Sequence, residues 1–250
     1  MKNSFIILPL LFFTAFLLNS CDKGGSTGSG GGNEEKSNYF PNNDGAYYKY
    51  NVNRTDSGNV QTTGTRSVKY DGMKPGTAYQ RQIDSSTIDA VTFVSESYFR
   101  KTDAGVYYFL DTTGLASNIP PQYQQYIPQL SIDAEMILLS TPPPNNWPVF
   151  KILLATTSVI SVNATNLGTE SFNNGAVSGT ALKVRYDVNI TIPLLPAQTL
   201  SAFCWFLPDV GVAKWEGNAT VINALSGGGI DFGDSTTVIT QDLSYYNLNK

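Results

Sequence analysis

Between Thr180 and Ile192 the chain alternates with a period of two. Leu182, Val184, Tyr186, Val188, Ile190 and Ile192 interleave with Lys183, Arg185, Asp187, Asn189 and Thr191. Successive side chains of a β-strand point to opposite faces, so this pattern requires a strand with one dry face and one wet face. At about 3.3 Å per residue such a strand is roughly 40 Å long, and at that length it has to twist and coil. Ala202 to Leu207 is apolar at every position, which predicts a strand covered on both sides.

The rest of the chain agrees with a β-rich fold. Fourteen Tyr and 13 Phe, with only 14% charged residues, favour strand over helix. Strands are expected at Ala46 to Asn53, Val60 to Tyr70, Thr77 to Ile83, Ala90 to Arg100 and Val106 to Asp111, punctuated by turns such as Asp56-Ser57-Gly58-Asn59 and Met73-Lys74-Pro75-Gly76. In the first of these, Tyr48, Tyr50 and Val52 share one face and Tyr47, Lys49 and Asn51 the other. Leu115 to Leu130, with Pro120, Pro121 and Pro128, predicts a short helix or turn around Gln122 to Tyr126. Pro142 to Pro148 reads as a stiff extended loop carrying Trp147. No repeat of fixed period and no break in composition divides the chain, so one domain is expected. The expected class is all-β, or β-rich with one short helix, built as a single long curled antiparallel sheet; a β-sandwich is the alternative.

The N-terminus carries a different kind of signal. Lys2 precedes an apolar run from Phe5 to Leu18, broken only by Pro9 and Thr14, which has the length of a secretory leader and is short for a membrane span. Its end, Leu18-Asn19-Ser20-Cys21, resembles a bacterial lipobox. That resemblance implies cleavage before Cys21 and acylation of this residue, and two or more acyl chains hold a protein stably on a membrane. An ordinary cleaved leader would instead leave Cys21 as a free thiol. Asp22 to Asn38 contains no large apolar residue and is expected to be a flexible tether spanning on the order of 20–25 Å. The expected layout is therefore a signal peptide over 1–20, a lipidated Cys21 with its tether over 21–38, and one β-rich domain over 39–250. An Asn- and Tyr-rich chain behind an acidic tether is similar to lipoproteins of the Bacteroidota, which implies the cell envelope and, within it, the outer membrane, on its periplasmic or surface face.

Three further motifs carry a second resemblance. Tyr39-Phe40-Pro41 followed by Gly45-Ala46-Tyr47-Tyr48-Lys49-Tyr50, Trp147 after its Pro-rich loop, and Phe206-Leu207-Pro208-Asp209-Val210-Gly211-Val212-Ala213-Lys214 resemble a broad group of bacterial envelope proteins with a LolA/LolB-like sheet. Asp209 stands where that group usually has Gly. The resemblance implies an open half-barrel with an apolar concave side.

Reactive chemistry is thinly represented. The chain contains no His, which removes Ser-His-Asp and Cys-His catalysis and the commonest zinc ligand together. With Cys21 acylated, Cys204 has no intramolecular partner, and its apolar neighbours mark it as a buried, inert thiol. Asp84, Asp89, Glu96, Asp231 and Asp234 could supply a carboxylate pair, yet each is flanked by polar or turn residues and is expected to be solvated. Gly227 to Asp234 lacks the Lys-Ser/Thr of a phosphate loop. Asp231 and Asp234 with Asp209 could hold calcium, but a Gly-rich connection with Asp at its turns accounts for the same residues. No catalytic residue, metal or cofactor is assigned. A net charge of −4 with scattered Lys and Arg argues against nucleic acid as a partner.

What remains is binding. Trp147, Phe203, Trp205 and Trp215 are the candidate ligand-binding residues, for a lipid, an acyl chain or a partner's hydrophobic segment on the concave side. Polysaccharide binding through exposed aromatics is the alternative, and a carboxylate-pair hydrolase the third possibility. Cys21→Ser is expected to abolish palmitate incorporation and to move the protein out of the membrane fraction. Palmitate labelling that survived the change would overturn the lipobox reading.

Overall fold

In the computed structural model, residues 37–110, 128–191, 196–227 and 236–249 are described. The leader, Cys21, the Gln122 to Tyr126 segment, Ile192, Asp231 and Asp234 lie outside them. The alternating stretch forms the strand Ser178–Ile190, and Leu182, Val184, Tyr186, Val188 and Ile190 are its buried face. In chain order the strands are β1 (Tyr47–Thr55), β2 (Gln61–Met73), β3 (Gln80–Ile88), β4 (Val91–Thr102), β5 (Gly105–Phe109), β6 (Leu130–Ile132), β7 (Glu135–Ser140), β8 (Asn146–Leu154), β9 (Thr157–Asn173), β10 (Ser178–Ile190), β11 (Gln198–Leu207), β12 (Gly211–Asn218) and β13 (Val238–Asn247). The one helix among the described residues, α1 (Ala219–Ser226), lies between β12 and β13.

All 13 strands join one antiparallel sheet in the order β6-β8-β9-β10-β11-β12-β13-β1-β2-β3-β4-β5-β7. The architecture is thus a single sheet and not a two-sheet sandwich. It curls until its ends meet. At the seam the contact is made by side chains: Trp147 Nε1 on β8 donates to Ile137 O on β7 at 3.1 Å, and the Tyr186 hydroxyl on β10 donates to Leu138 O at 2.6 Å. Leu138 is the residue at the β5–β7 bulge, between the Val106↔Leu139 and Tyr107↔Ile137 pairs. The sheet therefore curls fully without a closing ladder.

β11 is covered on both faces, as its composition predicts. Ala202, Cys204 and Phe206 enter the main core, while Trp205 and Leu207 join Phe172, Ala181 and Ala213 in a small outer cluster. The β11–β12 hairpin turns at Asp209, whose φ is +58°. That is the left-handed region where Gly is free and Asp is tolerated, so Asp209 occupies a position for which Gly is the conformationally cheaper choice.

The helix was not foreseen at this place. Asn218 caps it by accepting from Thr220 N and Val221 N, and Gly227, at φ +95°, ends it. Val221, Ile222 and Leu225 have no exposure and Ala219, Thr220, Ala224 and Ser226 are also buried, so almost no face of the helix is wet. A short apolar segment of this kind has no polar side to give it a helical period, and periodicity cannot separate it from a buried strand. It packs on β10, β11, β12 and β13 and fills the inside of the curled sheet.

Tyr186→Phe keeps the ring and leaves the buried Leu138 carbonyl without its donor. It is expected to cost about 1–3 kcal/mol in urea unfolding with an unchanged m-value, and a loss below a few tenths would mean that the seam does not depend on this bond.

Candidate functional site

The inner faces of β1, β2, β3 and β13 carry polar groups in phase with apolar ones. On β2, Arg66 shares its face with Val68 and Tyr70; on β3, Gln82 and Asp84 point the same way. The registers Tyr50↔Arg66 and Val68↔Asp84 set the guanidinium diagonally across from the carboxylate. Arg66 Nε donates to Asp84 Oδ2 at 2.7 Å, and Nη2 pairs with the same oxygen. Arg66 Nη1 donates to Gln241 Oε1 on β13 at 2.8 Å. The helix ends against the same cluster: Ser226 O accepts from Arg66 Nη2 at 3.2 Å and from Gln82 Nε2 at 2.9 Å. Tyr108 on β5 closes the network by donating to Gln82 Oε1 at 2.6 Å.

Arg66 and Asp84 are 6% and 8% exposed, so the expectation of a solvated Asp84 is corrected: it is the counter-ion of a buried cation. Of the polar neighbours that suggested solvent, Ser85 is out of phase with Asp84, while Ser86 pairs with the buried Arg66. Burial opposes the charge on Arg66, but the charge and hydrogen bonds of Asp84 outweigh it and hold the guanidinium above its ordinary pKa. Burial likewise pushes the phenols of Tyr50, Tyr70 and Tyr108 up, so all three are neutral. Beside this network lies a cavity of about 30 Å³, walled by Phe40, Tyr48, Tyr50, Arg66, Tyr70, Gln82, Trp215 and the end of α1, among others. That is room for about two water molecules. Among the described residues, Tyr186, Phe99, Phe206, Ile222 and Leu225 are fully buried in the core.

The four candidate aromatics do not meet in one place. Trp147 and Trp215 point inward and flank Tyr186 at ring-centroid distances of 6.4 and 5.6 Å. Phe203 and Trp205 are on the opposite face of β11. Trp205 lies between two lysines, with Lys183 Nζ 4.7 Å and Lys214 Nζ 5.1 Å from its ring, and its Nε1 donates to Glu170 Oε1 at 2.6 Å. The register Lys183↔Trp205↔Lys214 produces this stack, and the indole N–H, with Lys183, keeps Glu170 below the usual carboxylate range. Only Trp215 borders the cavity.

The other sequence candidates fall elsewhere. Cys204 is fully buried, and burial pushes its thiol well up, which leaves it unreactive. Glu96 is on the outer face, 3.5 Å from Arg81 Nη1. Asp89 sits at the β3–β4 turn with φ +50°. Among the described residues no three His, Cys, Asp or Glu side chains come close enough to hold a metal ion. Arg66, Gln82 and Gln241 were missed from sequence, although Arg66 in phase with Val68 and Tyr70 was a visible sign: a charge on an apolar face needs a buried partner.

A scan of protein-family models finds no match, and neither does a search of curated proteins. Among solved structures, the chain is similar to a candidate lipoprotein from Parabacteroides distasonis at 12% identity, TM-score 0.45, over 86% of this chain and 100% of that one. It is also similar to a candidate exported protein with a YmcC-like fold from Bacteroides fragilis at 14% identity, TM-score 0.44, over 84% and 99% of the two chains. Both likenesses are too remote to bear on function.

Asp84→Ala leaves a guanidinium buried without its counter-ion and is expected to cost about 3–5 kcal/mol in urea unfolding. Arg66→Met with Asp84→Leu removes both charges and should recover most of that loss. A double variant no more stable than Asp84→Ala would mean that the pair is needed for more than charge balance.

Proposed function

We propose that the chain is a lipid-anchored protein of the cell envelope, without catalytic activity, whose curled sheet binds an apolar ligand or a partner's hydrophobic segment on its concave side. The anchor rests on Leu18-Asn19-Ser20-Cys21 at the end of an apolar leader, and the outer membrane is its proposed destination. The absence of His supports a binding role over catalysis. The observation that carries the binding site is the curled sheet itself. Its concave side gathers Tyr48, Tyr50, Tyr70, Phe99, Tyr108, Tyr186 and Trp215 into one apolar interior, and part of what fills that interior, α1 and Phe40, comes from outside the sheet. Because the free space is only about 30 Å³, a ligand larger than water must displace one of these two fillers. Of the candidate aromatics, Trp215 is the one that borders this space.

A second reading has its own observation. Tyr47 and Tyr245 lie 6.3 Å apart on the outer face of β1 and β13, and Tyr245 is 54% exposed, so the outer sheet offers an aromatic platform on which a sugar ring could stack. A glycan array probed with the wild type and with Tyr245→Ala separates this from binding within the sheet.

Protein extracted from membranes in mild detergent is expected to carry an apolar adduct in native mass spectrometry, and the Cys21→Ser chain to take up a fluorescent fatty acid. The absence of both adduct and uptake would rule out the concave-side reading.

A further inference from the structure

Phe40 is the one residue bordering the cavity that belongs to neither the sheet nor the helix. It comes from Ser37 to Pro41, immediately before the body of the domain. Its ring is 3% exposed, stacks on Tyr70 at 5.9 Å and meets Phe99 edge-on at 5.4 Å. The segment around it joins no strand ladder. It is fixed by separate bonds: Asp209 N donates to Asn38 O at 2.8 Å, Lys101 Nζ to Asn38 Oδ1 at 2.5 Å and to Phe40 O at 2.9 Å, and the Tyr48 hydroxyl to Pro41 O at 3.3 Å. Lys101 is exposed and Asn38 half-buried, so the Lys101 bond to Asn38 can be exchanged for solvent, while the Tyr48 bond to Pro41 is buried.

We propose that Ser37 to Pro41 is a detachable strap that fills the mouth of the concave interior in cis, and that the site beneath it accepts an aromatic side chain presented by a peptide segment of a partner. The reasoning is one of shape and chemistry. Removing Phe40 opens a slot the size of one aromatic ring between Tyr70, Phe99 and Tyr48, whereas a long acyl chain would also have to expel α1. Lys101 and the Asp209 N–H, released from the strap, then face outward as donors for the carbonyls of the incoming segment. The inference rests on the reading of the concave side as a binding site for what enters it; detachment of the strap does not.

Two measurements test it. In native-state hydrogen exchange of the wild-type chain, the Asp209 amide is expected to exchange at a rate almost independent of denaturant and at least about a hundredfold faster than the Tyr186 amide of β10. Exchange of Asp209 only through global unfolding would overturn the strap. In trans, the synthetic peptide Ser-Asn-Tyr-Phe-Pro-Asn-Asn, which copies residues 37–43, is expected to bind the Phe40→Ala chain and not the wild type, and a copy with Ala for its Phe is expected to bind neither. Equal binding to both chains, or none to Phe40→Ala while its circular dichroism matches the wild type, would overturn the site. A strap that detaches in a protein that never takes up an apolar ligand would remove the function proposed above and leave the strap standing.

Discussion

A guanidinium buried inside a curled sheet, held by one carboxylate and facing the end of a helix, is the constraint on which the interior depends. Arg66 reaches Asp84 on the next strand, Gln241 on β13 and the last carbonyl of α1. Each contact belongs to a different part of the chain. Helix ends leave carbonyls without intrahelical partners, and Ser226 O meets this need with Arg66 and Gln82 across the interior. The cation also gains from the position, because the C-terminal end of a helix carries partial negative charge. The helix is thereby oriented by charge at one end and by the Asn218 cap at the other, while its apolar sides only fill space.

This arrangement explains why the concave side is full. Among the groups packed in the core are some from outside the strands, namely α1 and Phe40. The two fillers are held differently. The helix is covalently bracketed by β12 and β13 and joined to the buried ion pair, whereas Phe40 is held by ring contacts and by the bonds of its segment to Lys101, Asp209 and Tyr48.

Much of the sheet was legible in the sequence, and for a local reason. The alternation in β10, the all-apolar β11 and the Tyr48, Tyr50 and Val52 face of β1 are each decided by neighbours two residues apart, and each is found as expected. The short helix was expected near Gln122, outside the described residues, and not at Ala219, where Asn218 and Gly227 were the available cap signals. The site was less legible because its members meet only through the register. Arg66 and Asp84 are 18 positions apart, and Arg66 and Gln241 are 175. The same holds for the aromatics: Phe203 and Trp205 share a parity that Cys204 and Phe206 do not, but which parity faces inward is decided by pairing with Val184 and Trp215.

The seam between β7 and β8 bears on how the molecule behaves in a crowd. An open sheet has two edges, and unpaired edge amides and carbonyls are templates on which other chains can add strands. Here curling brings the two ends of the sheet together, and the Trp147 indole and the Tyr186 hydroxyl occupy the carbonyls of Ile137 and Leu138 that would otherwise be offered. Two aromatic side chains, one of them a fully buried Tyr, thus do for this sheet what a closing ladder does for a barrel: they leave β7 little backbone for a neighbour to grip.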